Sequence, residues 1–274
     1  MTQLYDQAVP IVNLPFLYIN GLVCSNDATT PNTILDVSAG VCRDSSNTYD
    51  MNLGNYNGQT NITAAENVAT LINAAVIGYN GIDTGTFAAA TLYYVYVISD
   101  PVSGNPSGAM ISISPPNTGP LMPFGYSAYR HIGYAVTASG AAHFLPFYQT
   151  GNNNAREFTF DAPQATAVTA GAATAYTAVS LLKWVPNLPI NQQVNIYYSY
   201  VPATAGNQLS MQALFGTAAQ QVITGQVAAV AVTGVVEVIA QQTTSSTIQP
   251  EINYKVGNAS DAVAIDVAGF KFFI

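Results

Sequence analysis

The side chains with reactive chemistry are few in this 274-residue chain, which has two cysteines, two histidines and 14 carboxylates. Cys24 and Cys42 lie in apparent strands and could be neighbours. We expect two small buried hydrophobic residues, with a disulfide bond or a metal site as the alternatives. His131 and His143 also lie in apparent strands without a nearby carboxylate in the sequence. They are predicted to be surface or hydrogen-bonded core residues rather than a catalytic dyad.

Two acidic segments could offer oxygen ligands to a cation. Asp44–Asp50 reads DSSNTYD, but it lacks the Gly and the terminal Glu of a calcium loop, which favours an Asx-turn network. The triplet Asp83–Gly85 has the Asp-Thr-Gly sequence of aspartic proteases, but in a single copy without apolar framing. The sequence contains no nucleophile elbow, metalloprotease motif or phosphate-binding loop. It therefore predicts no catalytic residue, no metal and no cofactor.

The composition sets limits on the partners of the chain. Charged residues make up 7% of it, against roughly 25% in an average soluble domain. Hydrophobic residues make up 49%, and 17 Tyr and 11 Phe exclude a disordered composition. The six Lys and Arg residues are scattered in a chain of net charge −8, so direct binding to nucleic acid is not expected. A surface so poor in charge indicates burial between subunits.

No secretory or membrane segment is predicted. The residues after Met1 lack a basic start, and Pro10 and Pro15 interrupt the apolar part. The run Gln226–Ala240 is too short to span a bilayer and contains Glu237. We expect it to be a strand that is buried on both faces.

The fold is predicted to be mainly β, with an extended arm over 1–15 and a β-rich domain over 16–150. Within this domain, Thr91–Ser99, Ala109–Ser114 and Tyr129–Val136 are predicted to form a β-meander. A helix is predicted over 63–77, because Thr63 and Glu66 form a capping box and apolar residues follow at helical spacing.

The second half is predicted to be a jelly-roll-like β-sandwich over 155–274, after a polar tract at 149–154. Its aromatic residues are the remaining candidates for binding. Tyr197, Tyr198, Tyr200 and Trp184 are expected first in the core or at a subunit interface, and second as platforms for a glycan.

Several motifs resemble a family of tailed-bacteriophage virion proteins, which are found in tail fibres and other particle-surface components. They are GVCRDSSNTYDMNL (Gly40–Leu53), GIDTG (Gly81–Gly85), TLYYVYVIS and PFGYSAYRHIGYAV, and the ending INYKVGNASDAVAIDVAGFKF is similar to a closing hairpin in the same proteins. The usual basic pair before Ile-Gly is Arg130-His131 here. The resemblance implies a location in the virion rather than an activity.

We therefore expect a non-catalytic structural component of a tailed-phage virion, assembled in the bacterial cytoplasm. A homotrimer that serves as a tail fibre or a tail-fibre adaptor is the leading hypothesis, and residues 1–15 are the expected attachment segment. The alternatives are a capsid decoration protein and a host-glycan-binding module of the adsorption apparatus. The partners would be other virion proteins and, in the last case, a host surface glycan.

Overall fold

The computed structural model describes residues 14–54, 68–151, 153–162, 166–188, 191–214, 216, 219–242 and 249–274. These residues form β-strands and contain no helix, which confirms the mainly β class. The chain divides into two compact units, Met1–Phe158 with Phe273–Ile274, and Thr159–Phe272. Among the described residues, none belongs to a helix that could cross a membrane. The predicted arm over 1–15 lies almost wholly outside them and stays a prediction.

The first unit is built from short strands in three antiparallel groups. The orders within the groups are β1-β4-β5, β11-β10-β2-β3-β6 and β8-β7-β9. In chain order these strands are β1 (Ile19–Gly21), β2 (Cys24–Asn26), β3 (Ile34–Ser38), β4 (Gly40–Arg43), β5 (Asp50–Leu53), β6 (Val68–Asn73), β7 (Leu92–Ser99), β8 (Gly108–Ser112), β9 (Ala128–Val136), β10 (Phe147–Thr150) and β11 (Ala155–Phe160).

The helix predicted over 63–77 is wrong for the part that the structure describes. Val68–Asn73 forms β6, which pairs antiparallel with β3, and a turn follows. Ile72 is buried whereas Leu71 is exposed, so this segment has the period of a strand. Pairing with β3 therefore overrides the helical spacing. The capping-box residues Thr63 and Glu66 lie outside the described residues.

The predicted meander is also wrong in its strand order. Its first two strands do form a hairpin, but β9 pairs with β7 and not with β8. The far side of β8 is already occupied, because the backbone of Ile111 exchanges hydrogen bonds of 2.9 Å with Gly81 and Asp83. The chain must therefore cross to the free side of β7 before it can add a third strand.

The second unit has the strand order of a jelly roll, as predicted. One sheet has the order β12-β19-β14-β17 and the other β13-β18-β15-β16, which is the arrangement of two Greek keys. The strands are β12 (Thr166–Gly171), β13 (Thr177–Ser180), β14 (Gln192–Val201), β15 (Gln208–Ala213), β16 (Gln221–Thr224), β17 (Val232–Gln242), β18 (Pro250–Val256) and β19 (Ala262–Phe273).

The long strands of this unit place every second side chain in its core. In β14, residues Val194, Ile196, Tyr198 and Tyr200 are buried, and the residues between them are half-buried. The prediction of a doubly buried strand over Gln226–Ala240 is wrong. Residues 226–231 form an exposed loop, and β17 buries only one face, because Val235 on the other face is exposed.

Candidate functional site

The two cysteines are buried free thiols in the first unit. Burial raises the pKa of each thiol to about 12, and nearby arginines, Arg156 for Cys24 and first Arg130 for Cys42, only partly oppose this. The reactive form of cysteine is the thiolate, so both side chains are unreactive at neutral pH. They behave as small hydrophobic residues, as predicted.

His131 lies in a cluster of tyrosine rings in the same unit. Its ring centroid is 4.8 Å from that of Tyr134 and 5.6 Å from that of Tyr96. Its Nε2 lies 2.9 Å from the carbonyl oxygen of Gly133, which can only accept, so the proton is on Nε2. Burial lowers the pKa of His131 to about 3. The residue is a neutral, hydrogen-bonded core histidine, which confirms the expectation.

Arg156 is a buried cation that sequence reasoning missed. Its guanidinium donates to the carbonyl oxygens of Leu22 at 2.6 Å, Gly21 at 2.6 Å and Ile132 at 3.0 Å. Burial lowers its pKa to about 10, so the group remains charged at neutral pH. Backbone carbonyls therefore take the place of water around this cation, and the hydrogen bonds join the segment between β1 and β2 to β9. The sequence does carry a signal for this burial. Every second residue of β11 faces inward, and Arg156 occupies such a position together with Phe158.

Asp44 forms the predicted Asx-turn network. Its Oδ1 accepts from the backbone N–H groups of Thr48 at 2.6 Å and Tyr49 at 2.7 Å, and its Oδ2 accepts from that of Ser46 at 3.1 Å. These bonds close the hairpin between β4 and β5. Within the parts of the chain that the structure describes, no three His, Cys, Asp or Glu side chains are grouped to hold a metal ion.

Asp83 is likewise a structural carboxylate. Its Oδ2 accepts from the Ser112 hydroxyl at 2.6 Å and from the Leu121 N–H at 3.0 Å, and its Oδ1 accepts from the Thr84 N–H at 2.7 Å. The side chain is buried. It thus fixes the chain that follows β8 and is not presented to a substrate.

The four predicted aromatic contact residues have different environments. Tyr198 and Tyr200 are buried in the core of the jelly roll, which is the first of the environments expected for them, and they are therefore not available as platforms for a glycan. Alternation along β14 gives the reason, because Tyr197 points to the opposite face. Tyr197 is half-buried, with Val235 and Asp266 as its cross-strand neighbours. Trp184 is also half-buried, with the Lys183 ammonium 5.5 Å from its ring centroid.

Two turns of the same sequence pattern present phenylalanines to solvent in the first unit. Pro15–Tyr18 and Pro123–Tyr126 both read Pro-Phe-x-Tyr, and each closes with a 3.1 Å backbone hydrogen bond from the Tyr N–H to the Pro carbonyl. The third residues have positive φ, 57° at Leu17 and 88° at Gly125, as a type II turn requires. Phe16 and Phe124 are 81% and 104% exposed. The repeated pattern could have been found in the sequence.

No family model matches the chain, and neither does any curated protein. Among solved structures, it is similar to a carbohydrate-binding module from lichenase 5A of Cellvibrio mixtus, determined in complex with cellotriose. The sequence identity is 12%, and the match covers 47% of this chain and 86% of that one. The TM-score is 0.19, which is too low to carry an argument about fold or function.

The surface of both units displays large apolar side chains. In the first unit they lie mainly in turns, and in the second they lie mainly on β16, β17 and the loop between them. The exposed large hydrophobic residues include Phe16, Leu17, Tyr49, Ile77, Val102, Ile113, Leu121, Phe124, Val222, Val227, Val230 and Val235.

Proposed function

We propose that the chain is a non-catalytic structural subunit of a tailed-bacteriophage particle and that it acts as a homo-oligomer. The observation that carries the proposal is the exposure of large apolar side chains on a chain in which only 7% of residues are charged. Surface of this kind favours contact with other protein surfaces. The motifs from Gly40 to Val136 that resemble virion proteins supply the biological setting.

Three further features support a structural role. The thiols of Cys24 and Cys42 and the imidazole of His131 are buried, so they are not available for chemistry on a ligand. Phe16 and Phe124 are held on hydrogen-bonded turns, which lowers the entropy lost when a partner covers them. A jelly roll is also an architecture that viral capsid proteins and lectins share.

Within this proposal, we place the subunit in the tail apparatus as a homotrimer, either as a fibre or as the adaptor that holds one. Head decoration is the alternative. Tagging the C-terminus and imaging gold-labelled particles tests the assignment directly. We expect label at the tail, and loss of label when residues 1–15 are deleted. Absence of the chain from purified particles would overturn the proposal, and label on the head would select the alternative.

A host-glycan-binding module is the second candidate. The observation that favours it is Tyr197, which lies half-buried on the outer face of its sheet beside Asp266, so that a ring and a carboxylate face the same side. A glycan array tests it, with Tyr197→Ala as the informative variant because Tyr198 is buried. Glycan binding that is lost in this variant would favour the second candidate. If the wild-type chain binds no glycan, the structural role remains as the single candidate.

A further inference from the structure

Three loops are joined at one end of the jelly roll, and we refer to residues 202–207, 225–231 and 257–261 together as the loop end. The Gly225 N–H donates to the carbonyl of Asn207 at 2.9 Å, and the Gly206 N–H donates to that of Gly225 at 2.8 Å. The Ala229 N–H donates to the carbonyl of Pro202 at 2.7 Å. A side chain at position 225 would collide with the Pro202 ring, 2.3 Å from its Cβ. The first two loops are therefore packed closely against each other.

Asp261 ties the third loop to this pair. Its Oδ1 accepts from the Ala203 N–H at 2.6 Å and from Asn207 Nδ2 at 2.8 Å. Its Oδ2 accepts from the Tyr200 hydroxyl at 2.9 Å and from the Asn258 N–H at 3.0 Å. Burial by itself raises the pKa of Asp261, but the four hydrogen bonds outweigh it and the pKa lies below its ordinary value. An ionised carboxylate thus locks the loops together at neutral pH.

The surface of the loop end is uncharged and consists mainly of small side chains. Asp261 is its only charged residue, and this side chain is 2% exposed. Ala229 has a φ of 57°, a left-handed conformation that residues other than glycine rarely adopt. Val227 and Val230 on either side of it are 57% and 53% exposed. The other exposed residues are Ala203, Thr204, Ala205, Gly206, Gln226, Ala228, Ala231, Gly257, Asn258, Ala259 and Ser260.

The chemistry of this surface selects among possible partners. It has no Lys or Arg, which binding to nucleic acid or to anionic lipid requires. It exposes no aromatic ring on which a sugar could stack. A strongly charged protein partner would find no complementary charge on it. An uncharged, apolar protein surface is the occupant that it fits.

A second copy of the chain is such an occupant. Each copy has a net charge of −8, so two copies repel each other wherever their carboxylates meet. The loop end is a surface at which they can touch without bringing exposed charges together. Alanine and glycine lose almost no side-chain entropy on burial, and the hydrogen bonds already order the backbone. Both facts lower the free-energy cost of association.

We propose that copies of this chain associate through the loop end of the jelly roll, around a common axis. This inference rests on the proposed homo-oligomer and names the surface that forms it. A standard interface has roughly 20–30 residues on each side, and the loop end has fewer. The oligomer formed by this contact is therefore expected to dissociate on dilution.

Added charge at the loop end tests the proposal. We expect the double variant Val227→Asp/Val230→Asp to raise the dissociation constant of the oligomer by at least about 100-fold, because like charges would face each other across the contact. Sedimentation equilibrium measures the constant, and circular dichroism checks that the fold is retained. Val102→Asp is the matched control, since Val102 is an exposed valine in a turn of the other unit. It should assemble as the wild type does.

A cross-linking experiment gives a second readout that does not depend on stability. Ala228→Cys places an accessible thiol on the loop end, whereas the native Cys24 and Cys42 are buried. Oxidation should link the chains covalently through position 228, and the Val102→Cys control should not become linked.

The possible results separate this inference from the proposed function. A wild-type chain that is monomeric at every concentration overturns the homo-oligomer and this surface with it. A wild-type oligomer that the double variant leaves intact overturns only the loop-end contact. Equal disruption by Val102→Asp would also overturn it, because the effect would then come from added charge anywhere.

Discussion

The two units differ in the charged and titratable groups that they bury. In the first unit, Arg156 and His131 lie in the interior, among short strands that are interrupted by turns. In the second unit, the inward positions of β14 from Val194 to Tyr200 and those of β19 are apolar or tyrosine, and Asp261 lies at the end of the sandwich. Both units thus fix loops with buried carboxylates, but among the described residues the buried cations lie in the first unit alone.

The difference follows from where the backbone lacks partners. Long paired strands satisfy their own N–H and C=O groups, as β14 does with neighbours on both sides. Where β1 ends, the carbonyl oxygens of Gly21 and Leu22 accept hydrogen bonds from Arg156. Loss of a buried donor should therefore cost more stability in the first unit than in the second.

Removal of Arg156 is expected to have the largest effect. Arg156→Met keeps much of the apolar stem but leaves the carbonyls of Gly21, Leu22 and Ile132 without this donor, so the free energy of unfolding should fall by roughly 3–5 kcal/mol. Urea denaturation measures the change. Lys183→Met removes an exposed cation and should change it by less than about 1 kcal/mol. Equal effects would contradict the role assigned to Arg156.

Acid should destabilise the first unit through His131. Its pKa is about 3 in the folded chain, against an ordinary value near 6.5, so unfolding takes up a proton between these values. The stabilisation is complete above pH 6.5 and is lost as the pH falls toward 3, by roughly 5 kcal/mol in all. His131→Gln should flatten this part of the pH profile of stability. His143→Gln is the control, and a profile that both variants leave unchanged would contradict the prediction.

Asp261→Asn is expected to have a smaller effect in the second unit. The amide keeps one acceptor oxygen but places an NH₂ group against two of the four donors, and the expected loss is about 2 kcal/mol. The folded pKa of Asp261 is lowered, so its stabilisation is present above the ordinary value near 3.9 and is lost as the pH falls through the folded pKa. Thermal unfolding measures both effects. The exposed Asp161→Asn should leave stability within about 0.5 kcal/mol of the wild type.

The same contrast explains how much could be predicted from the sequence. Strict alternation in Gln192–Val201 indicates a half-buried strand, and the jelly roll of the second unit could be predicted from such segments. In the first unit, the spacing in Val68–Asn73 fits a helix as well as a strand, and only pairing with β3 decides between them. The partners of Arg156 are likewise distant in the sequence, because Leu22 and Ile132 meet it only in the folded chain.

Sedimentation equilibrium of the wild-type chain over a wide range of concentration tests the central claim most directly. The account predicts a homo-oligomer, with a trimer at high concentration, because the apolar surface on a chain with 7% charged residues is covered by other copies. A mass equal to that of the monomer at every concentration, with the chain still folded and soluble, would contradict it.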